Sequence, residues 1–290
     1  MYMNEKILVI GAGFLGRYLL REFNSSNIQA YGTSFNQSTQ DKFRVDVRNI
    51  DSIKKCVLRL KPDTIINCTA NVDLDFLEKN EKQAIAINAI GAKNIALITN
   101  QNDIRLIHIS TDGIFDGKKG NYSEEDIPYP INVYGKSKLM GEQLIKENSN
   151  NYVIIRTNFY GYNEQGKHLL NWILTTLKQK KQMIGFDDVL FTPLEISNLC
   201  MMIRDITMKN MQGIIHLSSD KIICKYQFAI EVANVFQLDK NLIKKGSVED
   251  LKLIAKRPKN TSLSNKKAKK FVSVAITPLN ESLIKISNTF

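Results

Sequence analysis

The stretch Lys6-Ile7-Leu8-Val9-Ile10-Gly11-Ala12-Gly13-Phe14-Leu15-Gly16 decides the fold. A short apolar run ends at a glycine. Two further glycines complete a G-x-G-x-x-G pattern, which opens a segment with helical spacing, Phe14–Phe23. The pattern is weak alone and informative between a strand and a helix. Gly11 permits the tight turn, Gly13 lets the backbone approach a pyrophosphate, and Gly16 lets the helix pack closely on the strand. The free N–H groups and positive dipole at the helix start favour an anion. A dinucleotide held at Gly11, Gly13, Phe14, Leu15 and Gly16 is the expected ligand.

Further along, strand and helix signals alternate: Ile28–Thr33, Ile50–Leu60 (stopped by Pro62), Thr64–Asn67, Glu81–Thr99, Arg105–Ser110, Tyr134–Lys146 and Tyr152–Arg156. This rhythm predicts an α/β fold with a Rossmann-like, doubly wound parallel sheet. Short apolar strands suit such a sheet, because both of their faces are buried. Beyond residue 160 the rhythm loosens, with helical patterns at His168–Lys180 and Tyr226–Phe236 and a strand-like run at Ile214–Leu217. The expected division is 1–160 for dinucleotide binding and 161–290 for a smaller α/β substrate lobe, some of whose segments return to the first domain.

The 290 residues are 43% hydrophobic and 24% charged, which excludes wholesale disorder. No apolar stretch approaches ~20 residues, so no membrane partner is expected. The N-terminus carries neither an export nor a transit signal, which predicts the cytoplasm. Cys56, Cys68, Cys200 and Cys224 form no C-x-x-C pair and the three histidines lie far from them, so neither a metal nor a disulfide is expected. Net charge is +11, concentrated from Lys252 to Lys285. No zinc-finger or RNP signature accompanies it, which argues against nucleic acid. A solvated lysine-rich face, or help in holding a diphosphate-bearing ligand, remains.

At the end of the second strand no acidic residue is present to bind the ribose hydroxyls. Thr33 and Ser34 are placed either to hydrogen-bond a 2′-phosphate or to form a plain turn, and the balance favours NADPH over NADH. Asp46 and Val47 follow the next strand, where an adenine would be read.

Tyr134-Gly135-Lys136-Ser137-Lys138 is Y-x-x-x-K at the start of a predicted helix, which puts Tyr134 and Lys138 on one face. An ammonium beside a phenol lowers its pKa, making Tyr134 a proton donor to a carbonyl that receives hydride. Thr111 ends the Arg105–Ser110 strand, at the edge of the sheet where ligands of such folds bind, and is placed to hydrogen-bond the same oxygen. Asp112 beside it is suited equally to substrate contact and to bracing the loop.

These residues carry a resemblance. The stretch from Ile107 to Glu142 is very close to the central signature of the dTDP-4-dehydrorhamnose reductase family of extended short-chain dehydrogenases/reductases. Ile66-Asn67-Cys68-Thr69-Ala70, Ala86-Ile87-Asn88, Arg156-Thr157, Gly213–Leu217 and Arg257–Leu263 also match, so the resemblance covers essentially the whole chain. It implies reduction at C4 of a nucleotide-linked 4-keto-6-deoxy sugar by NADPH or NADH. It implies Tyr134 as acid, Lys138 as its partner and a ribose ligand, and Thr111 at the keto oxygen with Asp112 by the sugar. It places Cys68, Thr69 and Ala70 along the cofactor, Phe159 near the sugar, and Arg257 toward the nucleotide. A nucleotide-sugar substrate is the expected partner, and a homodimer is compatible with it.

Three departures distinguish the chain from the family pattern: the glycine loop is one residue tighter, Gly113 replaces an aromatic residue, and Asn71–Asp75 lacks a tyrosine. They leave the keto sugar and the nucleotide open. Gly113 also removes the second acid of a dehydratase and the cysteine of an epimerase, so plain reduction remains. The alternative is a non-catalytic regulatory subunit, since the β subunit of methionine adenosyltransferase resembles the same reductases.

Overall fold

The structure, a computed structural model, describes residues 5–35, 43–163, 166 and 168–289. Seven strands build its main sheet: β1 (Lys6–Ile10), β2 (Gln29–Ser34), β3 (Phe43–Arg44), β4 (Thr64–Asn67), β5 (Arg105–Thr111), β6 (Tyr152–Thr157) and β7 (Gly213–Leu217). Their spatial order is β7-β6-β5-β4-β1-β2-β3, and every pairing is parallel. The order reverses between β1 and β4, so their carboxyl ends open the crevice where doubly wound sheets bind ligands.

The strands are apolar throughout because helices cover both faces. On one face Phe14–Ser25 and Ile196–Met208 bury Leu15, Leu19, Phe23, Leu199, Ile203 and Ile206 against Ile7, Val9, Ile107 and Ile155. On the other, Ile50–Leu60, Gly91–Gln101 and Val133–Asn148 cover Leu8, Ile10, Ile65, Leu106 and Ile154. The helix Ile50–Leu60 starts where the Asn49 side chain accepts from Asp51 and Ser52 N–H, and ends at left-handed Lys61 before Pro62.

The helical pattern from Glu81 contains one wide turn, a π-helical segment at Ile85–Ile90, before it continues as Gly91–Gln101. Such turns often mark functional positions. Here it carries Asn88, whose amide bonds the backbone of Asn71 in both directions and the Ser137 hydroxyl. The loop after β4 is thereby tied to the helix that bears Tyr134 and Lys138.

A separate core unites Leu169–Lys178, Lys225–Val235 and Leu279–Ser287 around Phe191 and Phe228. Between its segments, the chain returns to the main sheet through Ile196–Met208 and β7. Among the described residues, no helix is long and apolar enough to cross a membrane.

Candidate active site

At the switch point the glycines take different roles. Gly11 has φ +93°, and a Cβ there would lie 3.0 Å from the Thr69 backbone nitrogen and hydroxyl. At Gly16 it would lie 2.3 Å from the Gly11 carbonyl oxygen. Both positions are closed by packing. Gly13 has nothing within 4 Å of its missing Cβ, so the turn is open at the one position where a pyrophosphate needs to approach. This cradle fits a dinucleotide. Leu15 is core, while half-buried Phe14 stacks on His168 with ring centroids 4.2 Å apart.

Thr33 and Ser34 separate. The Thr33 side chain is buried and its hydroxyl has no protein partner; its carbonyl accepts from Gly11 and Ala12 N–H, at 3.3 and 2.7 Å. Thr33 therefore braces the glycine loop. Parallel pairing sets Ser34 against Arg44 of β3, and the guanidinium groups of Arg44 and Arg48 lie over exposed Phe35, 5.2 and 5.3 Å from its centroid. Positive charge thus reaches the end of β2 from a neighbouring strand, which the sequence around Thr33 did not reveal. Asp46 grips Arg48 through two bonds of 2.9 and 2.7 Å, which hold its carboxyl below the usual range. Val47 is buried beneath Gly91. Just after β4, Thr69 donates through its hydroxyl to the Ile10 carbonyl, and Cys68 is pushed up to about 12 by burial. Cys68 and Ala70 flank Thr69 at the same strand end, both partly buried.

Thr111 and Asp112 emerge from β5, and the helix Val133–Asn148 starts beside them. Asn132 caps that helix by accepting from Gly135 N–H at 2.8 Å and donates to the Lys256 carbonyl at 2.9 Å. A Cβ on Gly135 would lie 2.3 Å from the Gly113 carbonyl oxygen, so only glycine lets the helix start press this close. Tyr134 is brought beside Thr111 and Gly113 as a result. The Asp112 carboxylate accepts three hydrogen bonds, from Thr111 at 3.1 Å, Asn158 at 2.9 Å and Thr261 at 2.6 Å. Burial raises its pKa and these bonds oppose the rise.

Lys138 departs from expectation. Its Nζ donates to the Ile109 carbonyl at 2.7 Å and lies 3.2 Å from His108 Nε2, rather than serving the Tyr134 phenol. Burial pushes Tyr134 up to about 12, with the Thr111 hydroxyl offsetting this in part; the lowering expected from an adjacent ammonium is not realised. The proton arrangement around Lys138 follows from its neighbours. Asn67 Oδ1 accepts from Thr69 N–H at 3.0 Å, which aims the amide nitrogen at His108 Nδ1, also 3.0 Å away. Burial, and after it the charge of Lys138, push His108 well below its ordinary value, so the ring is neutral, while burial lowers Lys138 to about 8, which leaves it mostly charged at neutral pH.

A cavity of about 400 Å³ lies over Thr111, Asp112 and Tyr134. Its far wall comes from the second lobe: Trp172, Phe186, Phe191 and Lys225. Arg257 reaches the rim, where it pairs with Asp75 at 3.0 Å. Phe159 is outside the lining and packs on Phe14, with ring centroids 6.1 Å apart. Asn158, Trp172 and Lys225 had no signal in the sequence, since each joins the site through contacts distant in the chain, while Thr261 lay within the Arg257–Leu263 match without a role.

A parallel sheet with a glycine turn at its switch point, and Thr, Tyr and Lys at the end of β5 and the adjoining helix, defines a protein of the short-chain dehydrogenase/reductase type. Residues 5–290 match the family model described as RmlD substrate binding domain, and the chain belongs to that family. The crystal structure of dTDP-4-dehydrorhamnose reductase from Bacillus anthracis str. Ames in complex with NADP superposes with a TM-score of 0.91 at 28% identity, covering 99% of this chain and 100% of that one. The dTDP-4-dehydrorhamnose reductase of Aggregatibacter actinomycetemcomitans is 28% identical over 272 residues, 89% of this chain and 90% of that protein. Methionine adenosyltransferase 2 subunit beta from Bos taurus is 28% identical over 281 residues, 90% of this chain and 80% of that protein.

Proposed function

We propose that this protein is an NAD(P)H-dependent reductase of a nucleotide-linked 4-keto-6-deoxy sugar, with NADPH preferred. The observation that carries the proposal is the meeting of Thr111 and Tyr134 at the floor of the cavity, one helical turn from buried Lys138. The open turn at Gly13 and the arginines beside Ser34 support a phosphorylated dinucleotide. The NADP named with the Bacillus anthracis reductase supports the same cofactor.

When bound, the nicotinamide supplies hydride to the carbonyl carbon. The Gly11–Gly16 turn would receive the pyrophosphate and Arg44 a 2′-phosphate, with Cys68 to Ala70 along the dinucleotide. Tyr134 hydrogen-bonds the keto oxygen and gives it a proton, and Thr111 would turn its one hydroxyl proton from Asp112 to the same oxygen when substrate binds. Asp112, held by Thr261 and Asn158, presents a fixed carboxylate to the sugar. Lys138, protonated at neutral pH, would serve the ribose and the Tyr134 phenol on leaving its contacts with His108 and the Ile109 carbonyl.

A second reading, a regulatory subunit without turnover, is favoured by one observation: Lys138 is held by His108 and the Ile109 carbonyl of β5. The test is NADPH and NADH oxidation by the purified chain with dTDP-4-keto-6-deoxyglucose, the product checked by mass. Cofactor-dependent gain of two hydrogens is expected. Tight cofactor binding without turnover on this or other nucleotide keto sugars would favour the regulatory reading.

A further inference from the structure

Lys225 opens the helix Lys225–Val235, at the positive end of its dipole, where a cation is disfavoured. Its Nζ stands 3.2 Å from the centroid of the Phe191 ring, on the cavity wall. Burial pushes it down to about 8. Among the described residues no carboxylate lies within ion-pairing distance of it and no acceptor within hydrogen-bonding distance. Asp112 is the group whose charge it feels, yet the Asp112 oxygens accept from Thr111, Asn158 and Thr261 and not from Lys225. The other cation of the cavity, Arg257, is neutralised by Asp75. A partly buried cation that is set against a helix dipole and has no anion within ion-pairing distance is costly to hold. Its ammonium has hydrogen-bonding capacity to spare, and it borders an apolar space.

We infer that Lys225 binds an anionic oxygen of the substrate, a phosphate or a sugar carboxylate, inside the cavity beside Asp112. This deepens the nucleotide-sugar reading and rests on it. The Phe191 face holds the ammonium in place while leaving its N–H groups directed at the ligand. The anion supplies the partner that the fold omits. The substrate is therefore selected by charge at a point across the cavity from Tyr134, and neutral sugars lacking that group are bound poorly.

The experiment uses the NADP-loaded full chain and its Lys225→Met variant, which keeps the length of the side chain without its charge. Calorimetric affinities are measured for thymidine, thymidine 5′-diphosphate, UDP-glucose and UDP-glucuronate, and the melting temperature of each protein is recorded. The expected result is at least a tenfold loss for the anion-bearing ligand, unchanged thymidine binding, and a melting temperature equal to or above wild type. Equal loss for all three diphosphates assigns the contact to phosphate; loss for UDP-glucuronate alone assigns it to a sugar carboxylate. Lys225→Arg, which retains the charge, keeps most of the affinity. If the Met variant does not fold, Lys225→Gln carries the same comparison. Undiminished affinity for all ligands overturns the inference. So does a wild type that binds none of them, or a fall in melting temperature with thymidine binding lost in parallel. A wild type that binds the diphosphates without oxidising cofactor removes the reductase reading and leaves this inference standing.

Discussion

The two sides of the cavity are built by different rules. The side that faces the dinucleotide is made from backbone: the Gly11–Gly16 turn, the Thr33 carbonyl that holds it, and the ends of β1 and β4. Its residues are contiguous and their requirements are steric, so few substitutions satisfy them. The side that faces the substrate is made from side chains of the second lobe, among them Trp172, Phe191, Lys225 and Thr261, drawn from four separate segments. The contrast separates a cofactor site constrained by chain geometry from a substrate site set by the chemistry of its side chains.

Perturbations of each side should therefore fail differently. The largest effect is expected where the two sides meet. Tyr134→Phe removes the proton donor and should cost about 10²–10⁴-fold in kcat, with cofactor affinity unchanged in a titration. Within the backbone side, Gly16→Ala drives a methyl into the Gly11 carbonyl and should destabilise the fold by about 1–3 kcal/mol in a denaturant titration. Gly13→Ala meets no protein atom, so stability should be retained while NADP(H) affinity falls about tenfold, roughly 1.4 kcal/mol. Equal effects at the two glycines would break the distinction drawn between them. On the side-chain wall, Thr261→Val leaves the buried Asp112 carboxylate one bond short, which should cost about 1.5–3 kcal/mol by denaturation and raise KM for the sugar.

The smallest effect is a pH slope. Lys138 and Lys225 are both depressed to about 8, so above that pH the folded protein releases protons that the unfolded chain retains. The unfolded state then binds more protons, and stability rises with pH from about 8 toward about 9, where Cys56, Cys68 and Cys200, all raised by burial, oppose the rise because their unfolded thiols ionise first. Below about 8 both lysines are charged in either state and contribute no slope. Above about 10 the raised phenol of Tyr134 works in the opposite sense, since the unfolded chain ionises first. Urea midpoints between pH 7.5 and 10 check this, and Lys225→Met should flatten the rise.

The same contrast explains what the sequence disclosed. The strand–glycine–helix start, the βαβ rhythm, the Y-x-x-x-K pair and the loop after β4 were legible because each is local and each satisfies a strict geometric demand. The helical spacing of Tyr134 and Lys138 was correct as geometry and incomplete as chemistry: i, i+4 sets a shared face, while the partner of Nζ is decided by His108 and Ile109 of β5. Thr33 and Phe159 illustrate a second limit. Position at a strand end was readable, but the direction of the side chain depends on packing with Phe14 and the glycine loop. Arg44 reaches Ser34 through strand pairing alone, and Lys225 joins the cavity of Asp112 across 113 positions of sequence, beyond any local pattern.

The most direct measurement follows the hydride itself. The protein is incubated with nicotinamide-deuterated NADPH and dTDP-4-keto-6-deoxyglucose, and the product is examined by mass spectrometry and NMR. A single deuterium at C4 of the nucleotide-linked sugar, abolished by Tyr134→Phe, is the predicted result. Bound cofactor that transfers no deuterium to this or any other nucleotide keto sugar would contradict the account.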